Sequence, residues 1–271
     1  MTKTYLFNKQ KINYALHSQA NNTNWLVLVH GFCSDHQVWD AFVPLLLPHY
    51  NLLLPDMAGY GQSDMCDEWT IEGMADRIAA LLAAENISSC VLVGHSMGGY
   101  VAITFAQRHT HLLKGLLLFH TTAFDDDEVK KRNRRQAIHL IQKYGTRPFL
   151  TAFYDSLFTK QYAKQQNDVV NAQELRAEQL SMDVIVRSSE AMIARPDRSF
   201  VLSQLPCPVG YVMGQHDTFT TYRRNLDECY LPKISCLYFL PQAGHMSMWE
   251  DTEQSKACVL AFAAFCESLV V

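Results

Sequence analysis

Three side chains far apart in a chain of 271 residues have the types and order needed for nucleophilic chemistry: Ser96, Asp217 and His245. Ser96 lies in Gly94-His95-Ser96-Met97-Gly98, between the apolar run Val91–Val93 and a helix-like segment reaching Arg108. A Gly-x-Ser-x-Gly turn between strand and helix lifts the hydroxyl clear of a sheet edge. Its glycines omit the Cβ atoms that would clash in so sharp a reversal. A serine hydroxyl stays protonated near neutral pH, so it needs a base to take its proton and a carboxylate to orient that base. Asp217 follows the strand-like Val209–Met213, and His245 follows Cys236–Leu240. Both therefore fall beyond the carboxyl ends of strands, where an open parallel sheet gathers its working loops, and the order Ser, Asp, His suits such a sheet.

Negative charge developing on a substrate oxygen needs donors. The N–H of Met97 at the helix start and that of Phe32 in His30-Gly31-Phe32-Cys33-Ser34 are the expected pair. His30, fixed before Gly31, reads as a loop anchor more than as a base. His216 points away from its neighbour Asp217 on an extended segment, and His95 faces away from the nucleophile. In Leu54–Asp64 the carboxylates of Asp56 and Asp64 are expected to hold the loop through backbone N–H groups, a reading favoured over a carboxylate acting on substrate. Trp39, His120, Phe124, Phe153 and Met246 are candidate pocket residues, although packing explains Trp39 equally well.

Composition narrows the rest. With 48% hydrophobic residues and a net charge of −4, the chain reads as an ordinary globule without a nucleic-acid partner or a stable membrane association. No apolar run approaches the roughly 18 residues of a membrane-spanning helix. Met1–Gln10 lacks the apolar centre of a signal peptide, so a cytoplasmic address is expected. The 8 cysteines are scattered without a Cys-x-x-Cys pair and read as reduced thiols, Cys33 beside the oxyanion loop being a packing residue. No His/Cys/Asp/Glu spacing matches a zinc site and no Gly-rich loop suits a phosphate, so neither metal nor cofactor is expected. Oligomeric state leaves no mark in the sequence.

The elements that must position the triad follow from periodicity. Tyr5–Phe7 and Ile12–His17 alternate polar and apolar residues, as in an antiparallel edge hairpin. Trp25–Val29, Leu52–Leu54, Val91–Val93, Leu116–Phe119 and Val209–Met213 are continuous apolar runs, as in buried parallel strands. Thr70 is placed to cap a helix running to Asn86. After His120 the alternation stops until Pro206. That stretch holds Asp125–Glu128, then Lys130, Lys131, Arg132, Arg134 and Arg135, a pattern expected of a solvated helix face with Asp127 opposite Lys131. Arg147–Leu157 and Asn171–Ala194 are helix-like. Phe149, Phe153, Tyr154, Leu157, Phe158, Met182, Ile185 and Met192 suit a lid underside, a packed lid–core contact, or both. A last helix is expected from Met246 to Leu269, with Val259, Leu260, Phe262 and Phe265 inside.

Five ordered motifs, His30-Gly31-Phe32, Asp56–Ser63, Gly94–Gly99, Gly214-x-x-Asp217 and Gly244-His245, resemble the α/β-hydrolase fold superfamily, specifically its lidded single-domain members. The resemblance spans almost the whole chain. It implies an α/β fold: a mostly parallel eight-stranded sheet, only the second strand antiparallel, helices on both faces and a helical cap inserted after His120. Residues 1–120 and 196–271 would then form the core and 121–195 the cap. It also implies the Ser-Asp-His triad, oxyanion donors at Phe32 and Met97, and a small-molecule substrate, most often a carboxylic ester, otherwise an amide, thioester, lactone or C–C bond. Haloalkane dehalogenases and epoxide hydrolases of this superfamily place Asp where Ser96 stands, so the chain departs from both. The first expectation is a cofactor-independent serine hydrolase acting on a small, mainly apolar acyl compound. A C–C bond hydrolase or lyase using the same triad is the second, and a non-catalytic receptor the third.

Overall fold

The first two segments pair as a hairpin, β1 (Thr2–Phe7) with β2 (Gln10–His17); β1 keeps every other side chain exposed at the sheet edge, whereas β2, paired on its other side as well, is buried without alternation from Ile12 to Leu16. The continuous apolar runs become β3 (Trp25–Val29), β4 (Asn51–Pro55), β5 (Cys90–His95), β6 (Leu113–Phe119) and β7 (Val209–Gly214), followed by β8 (Ser235–Leu240). The structure is a computed structural model and describes residues 1–269. Strand order is β1-β2-β4-β3-β5-β6-β7-β8. β2 runs antiparallel to both neighbours and every other pairing is parallel. Apolar runs cannot face water on either side, so helices cover both faces. α1 (Val43–Leu46), α2 (Ile71–Ala84) and α3 (Met97–Arg108) are the crossovers before β6. Thr70 caps α2, its Oγ1 accepting from the Gly73 N–H at 2.9 Å.

Between β6 and β7 come α4 (Glu128–Tyr144), α5 (Arg147–Leu157), α6 (Lys160–Gln165), α7 (Asn167–Ala177), α8 (Met182–Ala194) and α9 (Ser199–Gln204). The helix expected over Asn171–Ala194 is two helices, because Ser181 starts α8 afresh with its hydroxyl accepting from the Val184 N–H. Asp127 does not pair with Lys131. It caps α4 through the Lys130 N–H at 2.7 Å, and Lys131 reaches Asp125 at 3.1 Å and Glu128 at 3.4 Å instead.

After β7 lie α10 (Tyr222–Leu226), α11 (Ser247–Glu250) and α12 (Thr252–Ser268). The single final helix of the sequence reading is thus broken at Asp251, whose φ of −145° and ψ of 63° leave the helical region. On α12 the buried stripe is Val259, Phe262, Ala263 and Cys266, spaced three, four and seven apart; Phe265 falls off it and is 36% exposed. All eight cysteines are free thiols. Among the described residues no helix is long and apolar enough to cross a membrane.

Candidate active site

The turn from β5 to α3 holds Ser96 at φ 51° and ψ −118°, a region that side-chain-bearing residues avoid. It is tolerated because the surrounding contacts fix it. The Ser96 N–H donates to the Phe119 carbonyl at 3.0 Å, and the Thr121 hydroxyl donates to the Ser96 carbonyl at 2.8 Å. Glycine is obligatory alongside: a Cβ on Gly98 would stand 2.4 Å from the His30 carbonyl oxygen, and one on Gly94 would stand 2.5 Å from that of Gly98.

Asp217 sits in the turn after β7, its side chain fully removed from solvent. Oδ1 accepts from the N–H groups of Phe219 (2.8 Å) and Thr220 (3.0 Å), while Oδ2 accepts from His245 Nδ1 (2.9 Å) and His120 Nδ1 (3.1 Å). Burial alone would raise this carboxyl. The two imidazoles outweigh it and hold Asp217 well below the usual carboxylate range. With Nδ1–H donated to a carboxylate, His245 carries its free lone pair on Nε2, the tautomer a general base needs. Burial lowers the pKa of His120 and favours the neutral ring, whose Nε2 accepts from the Ser247 hydroxyl at 2.7 Å. The fold thereby gathers His120, Asp217 and His245 within 4.8 Å, a grouping invisible in linear spacing.

The loop bearing His245 is tied on both sides. Its N–H donates to the Leu157 carbonyl at the end of α5 (3.1 Å), and its carbonyl accepts from His95 Nε2–H (3.1 Å). Glu250 accepts from the N–H groups of Gly244 (2.8 Å) and Met246 (3.2 Å), and also from Thr159 N–H (2.6 Å) ahead of α6. Ser96 and His245 open onto the same cavity; the Ser96 hydroxyl makes no hydrogen bond to another described residue.

Phe32 and Met97 flank Ser96, and their N–H groups have no acceptor among the described residues. The loop carrying Phe32 is held by His30, whose Nδ1–H donates to the Gly31 carbonyl (2.8 Å) and whose Nε2 accepts from the Met57 N–H (3.0 Å). Both ring nitrogens are thus spent on anchoring. Tyr154 of α5 donates its hydroxyl to the Cys33 carbonyl at 2.7 Å. Burial pushes the Cys33 thiol up, away from thiolate chemistry. Asp56 accepts from the N–H groups of His36 (2.8 Å) and Gln62 (3.1 Å), and Asp64 accepts from the Lys11 N–H (2.7 Å).

The cavity has a volume of about 340 Å³. One wall is apolar: Phe32, Phe149 and Phe153 lie edge to face or stacked, and Phe219 packs on both Phe153 and His245. The facing wall is α4, through Lys130, Asn133, Arg134 and Ala137, joined by Ser189 and Met192 of α8. Of the expected pocket residues Phe153 lines this space, whereas Trp39, His120, Phe124 and Met246 do not. Trp39 is fully buried against Phe42 and Phe119; His120 lies under Asp217; Met246 is buried in the loop fastened by Glu250; and the Phe124 ring lies 5.0 Å from the Arg224 guanidinium. Of the lid residues, Phe149, Phe153 and Met192 reach the cavity. Tyr154, Leu157, Phe158 and Ile185 pack the interior, and Met182 is exposed. The expectation of a solvated basic face on α4 holds for Arg132 and Arg135 but fails for Lys130 and Arg134. Their spacing with Ala137, at three- and four-residue steps, was the signal for that stripe.

Known proteins share this fold. The chain superposes on a thermophilic esterase from Thermogutta terrifontis, solved with malate bound, with a TM-score of 0.89 and 25% identity, covering 98% of this chain and 99% of that one. It is 25% identical over 241 residues to the 2-succinyl-6-hydroxy-2,4-cyclohexadiene-1-carboxylate synthase of an Enterobacter species, 87% of this chain and 90% of that protein. It is 35% identical over 120 residues to an AB hydrolase superfamily protein of Gibberella zeae, a match spanning 44% of this chain but only 40% of that protein. Residues 24–252 match the model of the alpha/beta hydrolase fold family. With that match spanning most of the sequence, the chain belongs to the alpha/beta hydrolase fold family.

Proposed function

We propose that the protein is a serine hydrolase cleaving a small ester-like substrate through an acyl-enzyme, with Ser96 as nucleophile, His245 as general base and Asp217 as its orienting carboxylate. The observation that carries this reading is the His245–Asp217 pair, with Nδ1 at 2.9 Å from Oδ2, opening with Ser96 onto one cavity. Substrate binding brings the scissile carbonyl over Ser96. His245 Nε2 takes the hydroxyl proton as Oγ bonds the carbonyl carbon, and the oxyanion accepts from Phe32 and Met97 N–H. The imidazolium, held by Asp217, returns the proton to the leaving group; water then repeats the sequence on the acyl-enzyme. These steps use water and the chain's own residues. Residues 121–195 act here as the cap over a core of residues 1–120 and 196–271. The test is labelling by a fluorophosphonate probe with release of p-nitrophenol from p-nitrophenyl acetate. Both should disappear in Ser96→Ala, and labelling that persists would move the nucleophile elsewhere.

A second reading uses the same residues for proton transfer, as a lyase or C–C bond hydrolase. The similarity to the Enterobacter synthase favours it. An activated ester separates the two: a burst equal to the enzyme concentration shows an acyl-enzyme, and its absence with intact labelling favours proton transfer.

A further inference from the structure

We infer that the substrate carries a carboxylate, held on the cap side of the cavity by Lys130 and Arg134 while the remainder of the acyl compound lies on the phenylalanine wall. This deepens the ester-cleaving reading above and rests on it. Among the described residues, those lining the cavity include two cations and no carboxylate, in a chain whose net charge is −4. Chance composition would favour the opposite sign.

The charges are poorly compensated from behind. Lys130 Nζ donates to the Phe219 backbone carbonyl at 2.9 Å, a neutral acceptor, and joins no carboxylate. That bond also holds the ammonium beside the turn whose N–H groups fix Asp217, and so beside the reacting centre. Arg134 shares the buried Asp126 with Arg195, Nε at 2.6 Å from Oδ2 and Nη2 at 2.9 Å from Oδ1. One carboxylate thus answers two guanidiniums, and both its oxygens are used. The terminal nitrogens of Arg134 keep no partner among the described residues. Other nearby acids are engaged elsewhere, Asp125 with Lys131 and Asp127 in capping α4. An excess of positive charge beside an aromatic wall is screened less than on an open surface, so a carboxylate placed there is bound and oriented at once.

The experiment compares ethyl half-esters of dicarboxylic acids of increasing chain length with ethyl alkanoates of matched length, measured by titrating released acid. One half-ester should exceed its neutral counterpart by about tenfold or more in kcat/KM, mostly through KM, as a charge-assisted hydrogen bond predicts. The preference should shrink at about 0.5 M salt. In Lys130→Met the ratio of half-ester to neutral ester should fall by about the same factor. The free dicarboxylate should also slow fluorophosphonate labelling of the wild type more than of Lys130→Met. Equal or better turnover of neutral esters, with a ratio unmoved by the substitution, overturns the inference and leaves the hydrolase reading standing. Failure to turn over either series, with no labelling, overturns both.

Discussion

His120 Nδ1 lies 3.1 Å from Asp217 Oδ2, the same oxygen that His245 Nδ1 reaches at 2.9 Å, so one carboxylate oxygen orients two imidazoles. His120 is buried and its other nitrogen is taken by Ser247, which leaves it a fixed neutral donor. Removing it concentrates the charge of Asp217 on His245. His120→Phe should therefore raise the pH of the acid limb of kcat/KM, because a more strongly held imidazolium gives up its proton later. It should also lower kcat/KM about ten- to a hundredfold, the loss of a hydrogen bond to a charge. His120→Asn, which retains a donor, should recover part of both. A rate loss without displacement of the acid limb would assign His120 to packing alone.

Ser96→Ala should reduce kcat by about four to six orders of magnitude if the hydroxyl is the nucleophile. The thermal midpoint should stay within a few degrees, because the hydroxyl has no intramolecular hydrogen bond to lose. Residual turnover near that of the wild type would remove Ser96 from the chemistry.

Glu228 gives a pH dependence of stability separate from catalysis. Burial pushes its carboxyl up to about 7, against 4.5 in an unfolded chain, despite hydrogen bonds from Ala123 N–H, the Thr122 hydroxyl and the Asn225 amide. The folded state holds the proton more tightly. Its contribution is fully present below pH 4.5 and is lost as pH rises to about 7. Glu228→Gln should flatten that decline, worth at most about 3 kcal/mol, because an amide does not titrate in this range. Urea midpoints followed across this range decide it; parallel curves for the two proteins would sink the assignment.

Asp126→Asn should destabilise the protein by about 3–5 kcal/mol, the usual consequence of removing one member of a buried ionic group. Burial acts to raise this carboxyl, but Arg195 and Arg134 hold it at about 2. Its contribution to stability is present above the ordinary value of 3.8 and fades as pH falls through about 2. Proteolysis should also speed up within residues 121–195, where both arginines attach. Unchanged midpoints and cleavage would show that the guanidiniums find water instead.

The sheet was legible in the sequence because buried parallel strands read as unbroken apolar runs, and Ser96, Asp217 and His245 each follow one. Cap helices were harder. The break before α8 lies in the turn ending at Ser181, extended at ψ 150° with its hydroxyl capping α8, which a continuous helical pattern hides. Lys130 and Arg134 looked like surface charge because a basic stripe reads alike in water or over a cavity; only the position of α4 opposite Phe149 and Phe153 separates the two. Trp39 and His120 were misplaced because proximity along the chain to a catalytic loop does not say on which side of that loop a ring packs. The second imidazole on Asp217 could not be seen at all, since residues 120 and 217 meet only through the adjacent placement of β6 and β7.

The attachment of His245 to the Leu157 carbonyl, and of its flanking N–H groups to the Glu250 carboxylate that also grips Thr159, limits how a substrate can enter. Swinging the α5–α6 corner outward would drag His245 off its station. Any outward movement of that corner is therefore coupled to the position of the His245 ring.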